Sequence, residues 1–448
     1  MAETAVADIP APSWIGEVLD GGGAWSLRAK VPYLLGLLML CDSWDSVVIA
    51  YTLPVLVSEW HLSALQGGWL ISAGYGGQFI GAIVFGSLAE RYGRLPVFKL
   101  LVLVMSLLAL GCAAARNYEQ LIILRAAQGL AIGGALPISI CYINEIAPTA
   151  TRGRFFGTFQ FLMTIGFGLA ALSSAWLIPA FGWRIMFALG AAPLFLLPFT
   201  QVLPESPRWL ARRGEADRAA ASLKRLGGSE IPGPDARPPI PGGGTRVPFA
   251  MLLAPEVRKI SIVTALLWFL TSLVSFGLVT WIPSIFVSMF KIPVADALRY
   301  NAIVAISIFF LPLLLRQTID HIGRRPPAII GPGVGGIALL IMLFLNLDAR
   351  LWLVGLAIIG QIGISVGSML LWPYTAETYA TRIRSLALGT SSSIARGASM
   401  LTPLLVGGVL EMTGSITLIF LVFGLASLAV ALLWLFGVAE TAGREMVD

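Results

Sequence analysis

Two acids and two bases stand in stretches that are otherwise apolar enough to cross a membrane. Asp42 and Asp45 lie in VPYLLGLLMLCDSWDSVVIAYTLPVLV (31–57), Arg125 in EQLIILRAAQGLAIGG and Arg396 in TSSSIARGASMLTPLLVG. A charge at that depth is costly, and its default reading is functional. Arginine stays cationic and offers a planar donor fork that fits a carboxylate with both arms. An aspartate in the same dry setting is pulled between desolvation and the nearby cation, so it takes up or releases a proton as its surroundings change. Such a set suits the carriage of a charged solute, a proton, or both. Asp42 and Asp45 are therefore the expected proton-coupling residues, with Arg396 and Arg125 as anion-binding or anion-positioning cations.

These charges need helices to hold them at depth. The composition is 57% hydrophobic and 12% charged with a mean hydropathy of +0.84, which excludes an ordinary soluble domain. Windows of roughly 20 apolar residues, the length that crosses the hydrocarbon as helix, recur near 31–57, 66–89, 95–115, 119–143, 154–179, 183–203, 259–289, 299–318, 327–347, 350–374, 385–409 and 414–437. The expected fold class is an all-α membrane protein of twelve transmembrane helices. Its expected divisions are an N-terminal tail over 1–30, a six-helix bundle over 31–203, a linker over 204–256, a second bundle over 257–437 and a C-terminal tail over 438–448. The linker opens with an Arg-rich amphipathic run, ESPRWLARRGEADRAAASLKRL, and continues as the Pro/Gly-rich IPGPDARPPIPGGG, a spacer composition.

Positive residues are retained on the cytoplasmic side. With the N-terminus inside, only Arg116, Arg184, Lys291, Arg299 and Arg350 face outward, which places both termini and the linker in the cytoplasm. The net charge of +6 then reports orientation, and no nucleic-acid partner is expected. Residues 1–30 lack the charged, apolar and cleavage regions of a signal peptide. Cys41, Cys112 and Cys141 show no paired spacing and have no histidine nearby, so neither a disulfide framework nor a metal site is expected. His61 and His321 lie at loop edges.

The two bundles repeat each other. GSLAERYGRLPV (86–97) matches RQTIDHIGRRPP (316–327), EIAPTATRGRFFG (145–157) matches ETYATRIRSLALG (377–389), and LPESPR (203–208) has a weaker echo in VAETAGR (438–444). The matches keep their order at a nearly constant offset along the chain. Gly93 permits a tight turn, and Arg91 and Arg94 have acids such as Glu145 and Glu205 within reach at neighbouring helix ends. The expected gating set is Glu90, Arg91, Gly93, Arg94, Glu145, Arg152 and Glu205 in the first half, with Asp320, Arg324, Glu377 and Arg384 in the second. Two six-helix halves joined by a linker, with GSLAERYGRLP between helices two and three, resemble the major facilitator superfamily.

Counted from Val31, Asp42 lies about 16 Å along a helix and near the bilayer midplane. Asp45, three residues on, shares its face and matches Arg125 in level, so these two are expected to pair inside the first bundle. Arg396 lies about as deep as Asp42 but in the second half, and repeat transporters bind at the midplane between halves. Gln361, Ser365, Ser368 and Trp372 fall on one helix face, and Tyr374 follows. Trp44, Tyr51, Trp268, Phe276 and Trp281 supply aromatic surface that can stack on a flat ring.

DSWD (42–45) resembles the DGxD signature of the aromatic acid:H⁺ symporter family, with Ser43 at that family's glycine. RAAQG (125–129), YATRIR (379–384) and SIARGASMLTPLLVG (393–407) also resemble that family, bacterial nicotinate transporters and animal organic anion transporters, in which an arginine at the position of Arg396 goes with anionic substrates. The resemblance implies proton-coupled uptake of a small organic anion, an aromatic or heteroaromatic carboxylate, by alternating access. It implies a substrate contact from Arg396, to which depth, helix face and side-chain type add Arg125, Gln361, Ser365, Trp372, Tyr374, Trp44, Tyr51, Phe276 and Trp281 as expected contacts. No G-x-x-x-x-G-K-[ST] occurs, so the driving force is a gradient; no enzyme activity and no cofactor are expected. The expected partners are the organic anion, H⁺ and the lipid bilayer, and the expected location is a multi-pass protein of the bacterial inner membrane. An exporter or antiporter of organic anions, or a receptor or scaffold on the same fold, is the alternative.

Overall fold

The computed structural model describes residues 13–21, 27–148, 151–228, 231, 233, 248–345, 350–438 and 440, with the side chains of 13, 312–321, 350, 381, 382 and 385 outside the description. Twelve long apolar segments among these residues are each able to cross a bilayer. They are α1 (Leu27–Trp60), α2 (Ala64–Tyr92), α3 (Arg94–Ala114), α4 (Tyr118–Ile146), α5 (Arg152–Phe181), α6 (Arg184–Val202), α7 (Pro255–Ser288), α8 (Val294–Ile322), α9 (Arg325–Ile341), α10 (Arg350–Thr378), α11 (Thr381–Thr413) and α12 (Thr417–Gly437). Segment α6 is discontinuous: helix over Arg184–Leu189, a turn, then Pro193–Leu196 and a 3₁₀ stretch over Leu197–Val202. The backbone hydrogen bonds from Gly190 to Phe195 there are of the tighter i to i−3 kind.

Long apolar helices satisfy their own backbone groups, the condition for spanning hydrocarbon. Small residues then let them pack closely, as where α2 meets α4 and α9 meets α10. Helices α1 to α6 form one bundle and α7 to α12 the other, meeting mainly through α2 with α11, α5 with α8 and α1 with α7. An even number of crossings puts the tail, the linker and the C-terminal end on one face, called here the linker face.

The amphipathic run after α6 forms two short helices, Pro207–Arg212 and Ala216–Arg225. A helix inside the expected N-terminal tail, Ser13–Gly21, packs Trp14, Ile15, Val18 and Leu19 onto them. Charge patterning alone gave no sign of that helix. Most of the Pro/Gly-rich stretch lies outside the described residues.

Candidate functional site

Asp42 stands as far along α1 from its linker-face end at Leu27 as Arg396 stands along α11 from Thr381. Because every helical residue adds the same rise, the two share one level on opposite halves. The guanidinium of Arg396 reaches across the interface and donates to the carbonyl of Gly133 on α4 at 3.5 Å. Asp42 lies in its field, buried, and among the described residues it has no ion pair and its Oδ1 no hydrogen-bond partner. A half-buried cation and a buried, partly unsatisfied carboxyl thus lie in one another's field at the contact of the two halves.

Asp45 points elsewhere. Residues three apart on a helix diverge by about 60°, and that turns Asp45 into the first bundle, where its Oδ1 is 3.9 Å from Arg125 Nη1. Gln128 completes this contact: its Oε1 accepts from Arg125 at 2.8 Å, its Nε2 donates to Asp45 Oδ2, and the Cys112 thiol donates to the same Oε1 at 3.6 Å. Gly190, at the break in α6, leaves room for Asp45 Oδ1. All three polar side chains are buried. Gln128 sits one helical turn from Arg125, inside RAAQG; the signal was an amide in an apolar helix at i+3 from a buried cation.

A cavity of about 200 Å³ lies between the halves, walled by α1, α5, α7, α8 and α10. Tyr51, Phe276 and Gln361 border it. The Tyr51 hydroxyl is hydrogen-bonded with Asn301 of α8, a lone amide that no sequence pattern marks, and Gln361 keeps a buried Oε1 without a partner among the described residues. Ser365 is held by its own helix, donating to the Gln361 carbonyl at 2.7 Å. Arg396 and Asp42 do not line this cavity. Tyr51 lies further along α1 than Asp42, so the charges sit about 13 Å nearer the linker face.

The remaining aromatic candidates are placed in packing. Trp44 turns into the first bundle and donates to the Met186 carbonyl at 3.0 Å. Tyr374 packs edge-on to Trp434 at 4.9 Å, inside the second bundle. Trp372 is half-exposed and stands edge-on to Trp268 at 4.8 Å. Trp281 is buried between α7 and α2, with its indole nitrogen unpartnered.

On the far side of Arg396 the halves close. Gly68 lets the α2 backbone touch Pro403 of α11: a Cβ there would stand 2.5 Å from the Pro403 carbonyl oxygen. The amide of Leu65 donates to Glu411 at 3.4 Å, and Tyr75 of α2 meets Phe276 of α7 edge-on at 5.6 Å.

The linker face carries the charge clusters. Arg94 pairs with Glu90 at 2.7 Å and Glu145 at 3.1 Å, and Arg212 from the linker joins Glu145 at 2.7 Å. In the second half Arg324 pairs with Glu377 at 3.2 Å. Glu205 forms no ion pair with Arg91 or Arg94; it accepts the backbone amides of Arg94 and Leu95 at 3.1 and 3.2 Å. Burial pushes its carboxyl above the usual range, opposed by those amides and that of Ser206. Arg91 lies over the Tyr92 ring and Arg152 is exposed, each without an ion pair among the described residues. Arg384 donates to the Tyr379 carbonyl at 3.3 Å. The side chain of Asp320 lies outside the described residues. No cluster of three or more His, Cys, Asp or Glu able to hold a metal occurs among the described residues.

Comparison with known proteins agrees with this architecture. Residues 37–448 match the profile described as "Sugar (and other) transporter". The chain is similar to the niacin transporter NiaP of Acinetobacter baylyi, 28% identical with 92% of this chain and 94% of that protein covered. It is similar to the gallate transporter of Pseudomonas putida, 29% identical with 95% of each covered. A solved D-xylose-proton symporter superposes with a TM-score of 0.73 at 22% identity, covering 93% of this chain and 99% of that one.

Proposed function

The chain belongs to the sugar (and other) transporter family, a group of major facilitator transporters, and from that premise we propose that it imports a small aromatic or heteroaromatic carboxylate together with a proton. Arg396 is the observation that carries this reading. It is a permanent cation deep in a helix of the second half, touching the backbone of the first half and lying in the field of a buried acid. A carboxylate bound there bridges two bodies that move against each other, and Arg396 can meet it bidentately. The names of two relatives, a niacin and a gallate transporter, fit a planar acid with one carboxylate. The positive residues on the linker face orient that face toward the cytoplasm of a bacterial inner membrane.

Uptake into proteoliposomes with an acidic exterior, measured with nicotinate-like, benzoate-like and aliphatic acids, tests the proposal. The expected result is saturable accumulation of a planar monocarboxylate, abolished by collapsing the pH gradient. Arg396→Ala should abolish uptake at normal abundance in the membrane. Arg396→Lys should lose most affinity, because it keeps charge but not the fork. Saturable binding of the acid unaffected by Arg396→Ala overturns the assignment.

A further inference from the structure

Beside the linker-face end of α3 lies a second cavity, of about 530 Å³, apart from the substrate residues Arg396 and Asp42. Four cations, Arg91, Lys99, Arg213 and Arg218, line it against two acids, Glu205 and Glu215. Both acids are already engaged. Glu205 accepts backbone amides at the start of α3, and Glu215 pairs with Arg213 and Arg218. The lining therefore keeps a surplus of two positive charges, four minus two. The cations are positioned rather than loose: Arg213 donates to the Arg91 carbonyl at 2.6 Å and lies over the Trp209 ring at 5.0 Å, while Arg91 lies over Tyr92. Lys99 makes no ion pair among the described residues.

What adjoins the cavity is apolar. Below Lys99, α3 exposes Leu100, Leu103, Leu107 and Leu110, a stripe at helical spacing with Lys99 one turn before Leu103. The last part of α6 packs on α3 and exposes Phe195 and Phe199. Lys99 stands about 7 to 8 Å along the helix from Arg94, which is the thickness of the polar zone at a bilayer surface.

We propose that this cavity is a binding site for the headgroup of an anionic phospholipid, with one acyl chain lying along the Leu100 to Leu110 stripe of α3. A phosphate at the mouth is offered donors from Lys99, Arg213 and Arg218, and the negative surface of the inner leaflet concentrates such lipids there. Free phosphate shares the headgroup chemistry, but the exposed leucines beneath the cations favour a ligand with a hydrocarbon tail. This site is separate from Arg396 and Asp42, so its test is independent of the substrate.

The test is native mass spectrometry of the purified full-length protein in detergent, titrated separately with phosphatidylglycerol, phosphatidylcholine and inorganic phosphate. Phosphatidylglycerol should be retained at least tenfold more strongly than phosphatidylcholine, and millimolar phosphate should not displace it. Each cation removed should lower retention about fivefold, the equivalent of about 1 kcal/mol per basic side chain at an anionic surface. Lys99→Gln with Arg218→Gln should therefore lower it by more than tenfold, while Lys99→Arg retains it. An unchanged thermal transition in the double variant shows that the fold is kept. Equal retention of the two lipids, undiminished retention in the double variant, or displacement by free phosphate would each overturn the proposal.

Discussion

Glu205 and Glu440 stand in the same place in the two halves. The Glu205 carboxylate accepts the amides of Arg94 and Leu95 at the start of α3, and the Glu440 carboxylate accepts those of Arg324 and Arg325, each at 3.0 Å, at the start of α9. Each acid thereby satisfies orphan donors at a helix N-terminus and meets the positive end of its dipole. The preceding glycines, Gly93 and Gly323, hold φ at 107° and 87°. In both, an added Cβ would run into the capping carboxylate.

Gly93→Ala and Gly323→Ala should therefore each destabilise the protein. The backbone conformation alone costs about 1 to 3 kcal/mol for a non-glycine residue, before the clash is counted. Thermal unfolding in detergent should show a lower transition for both, and an unchanged transition in the pair rejects the shared-cap account.

This symmetry was legible in the chain because loops at a membrane surface reuse the same turn chemistry, so GSLAERYGRLPV and RQTIDHIGRRPP keep their glycine and arginine. The weaker echo of LPESPR in VAETAGR carries the cap itself. The depth of Asp42 and Arg396 could be counted from helix length, and so could the common level of Asp45 and Arg125. Rotation could not. Trp44 and Tyr374 sit on helices that border the interface, yet their rings turn into the bundles, because a stripe of polar or aromatic residues does not say which neighbour it faces. Asn301 carries no signal in the sequence, because a single amide makes no pattern, and Gln128 is marked only by its place one turn from Arg125.

The far-face seam and the linker-face cluster should bias conformation in opposite directions. Gly68→Val puts atoms where the Pro403 carbonyl now lies and should force the far side open. Glu145→Gln removes the charge shared by Arg94 and Arg212 and should release the linker face. A ligand shifts such an equilibrium only by its differential affinity for the two states, so substrate contacts should persist while turnover falls. Cysteine labelling from the two sides checks this; an unchanged inside-to-outside ratio in both variants rejects it.

Gln128→Leu should damage the first bundle more than its size suggests. It leaves a buried carboxylate and a buried guanidinium each short of a hydrogen bond, at about 1 to 3 kcal/mol per unsatisfied group, with only the 3.9 Å contact remaining between them. Asp45→Asn added to it leaves the buried Arg125 cation without its acid, and the combined loss should differ from the sum of the two single losses, because residues in one network are not additive. Thermal unfolding of purified Gln128→Leu, Asp45→Asn and the double variant measures that difference. Strict additivity of the two changes would mean that Gln128 does not mediate the pair.

Asp42 should carry the proton. With Arg396 positive, one incoming carboxylate neutralises the site, and a proton on Asp42 then compensates the acid's own buried charge. The loaded carrier is no more charged than one in which Asp42 balances Arg396. Symport of one monoanion with one proton, as proposed, should therefore be electroneutral, and an acidic exterior should stimulate it. Asp42→Asn resembles the protonated acid but has nothing to release: it should bind substrate and exchange it across the membrane without accumulating it. Counterflow and pH-driven uptake in the same proteoliposomes separate these two activities. If Asp42→Asn concentrates substrate under a pH gradient as well as the unmodified protein does, coupling belongs to Asp45, whose carboxyl is already tied to Arg125 through Gln128.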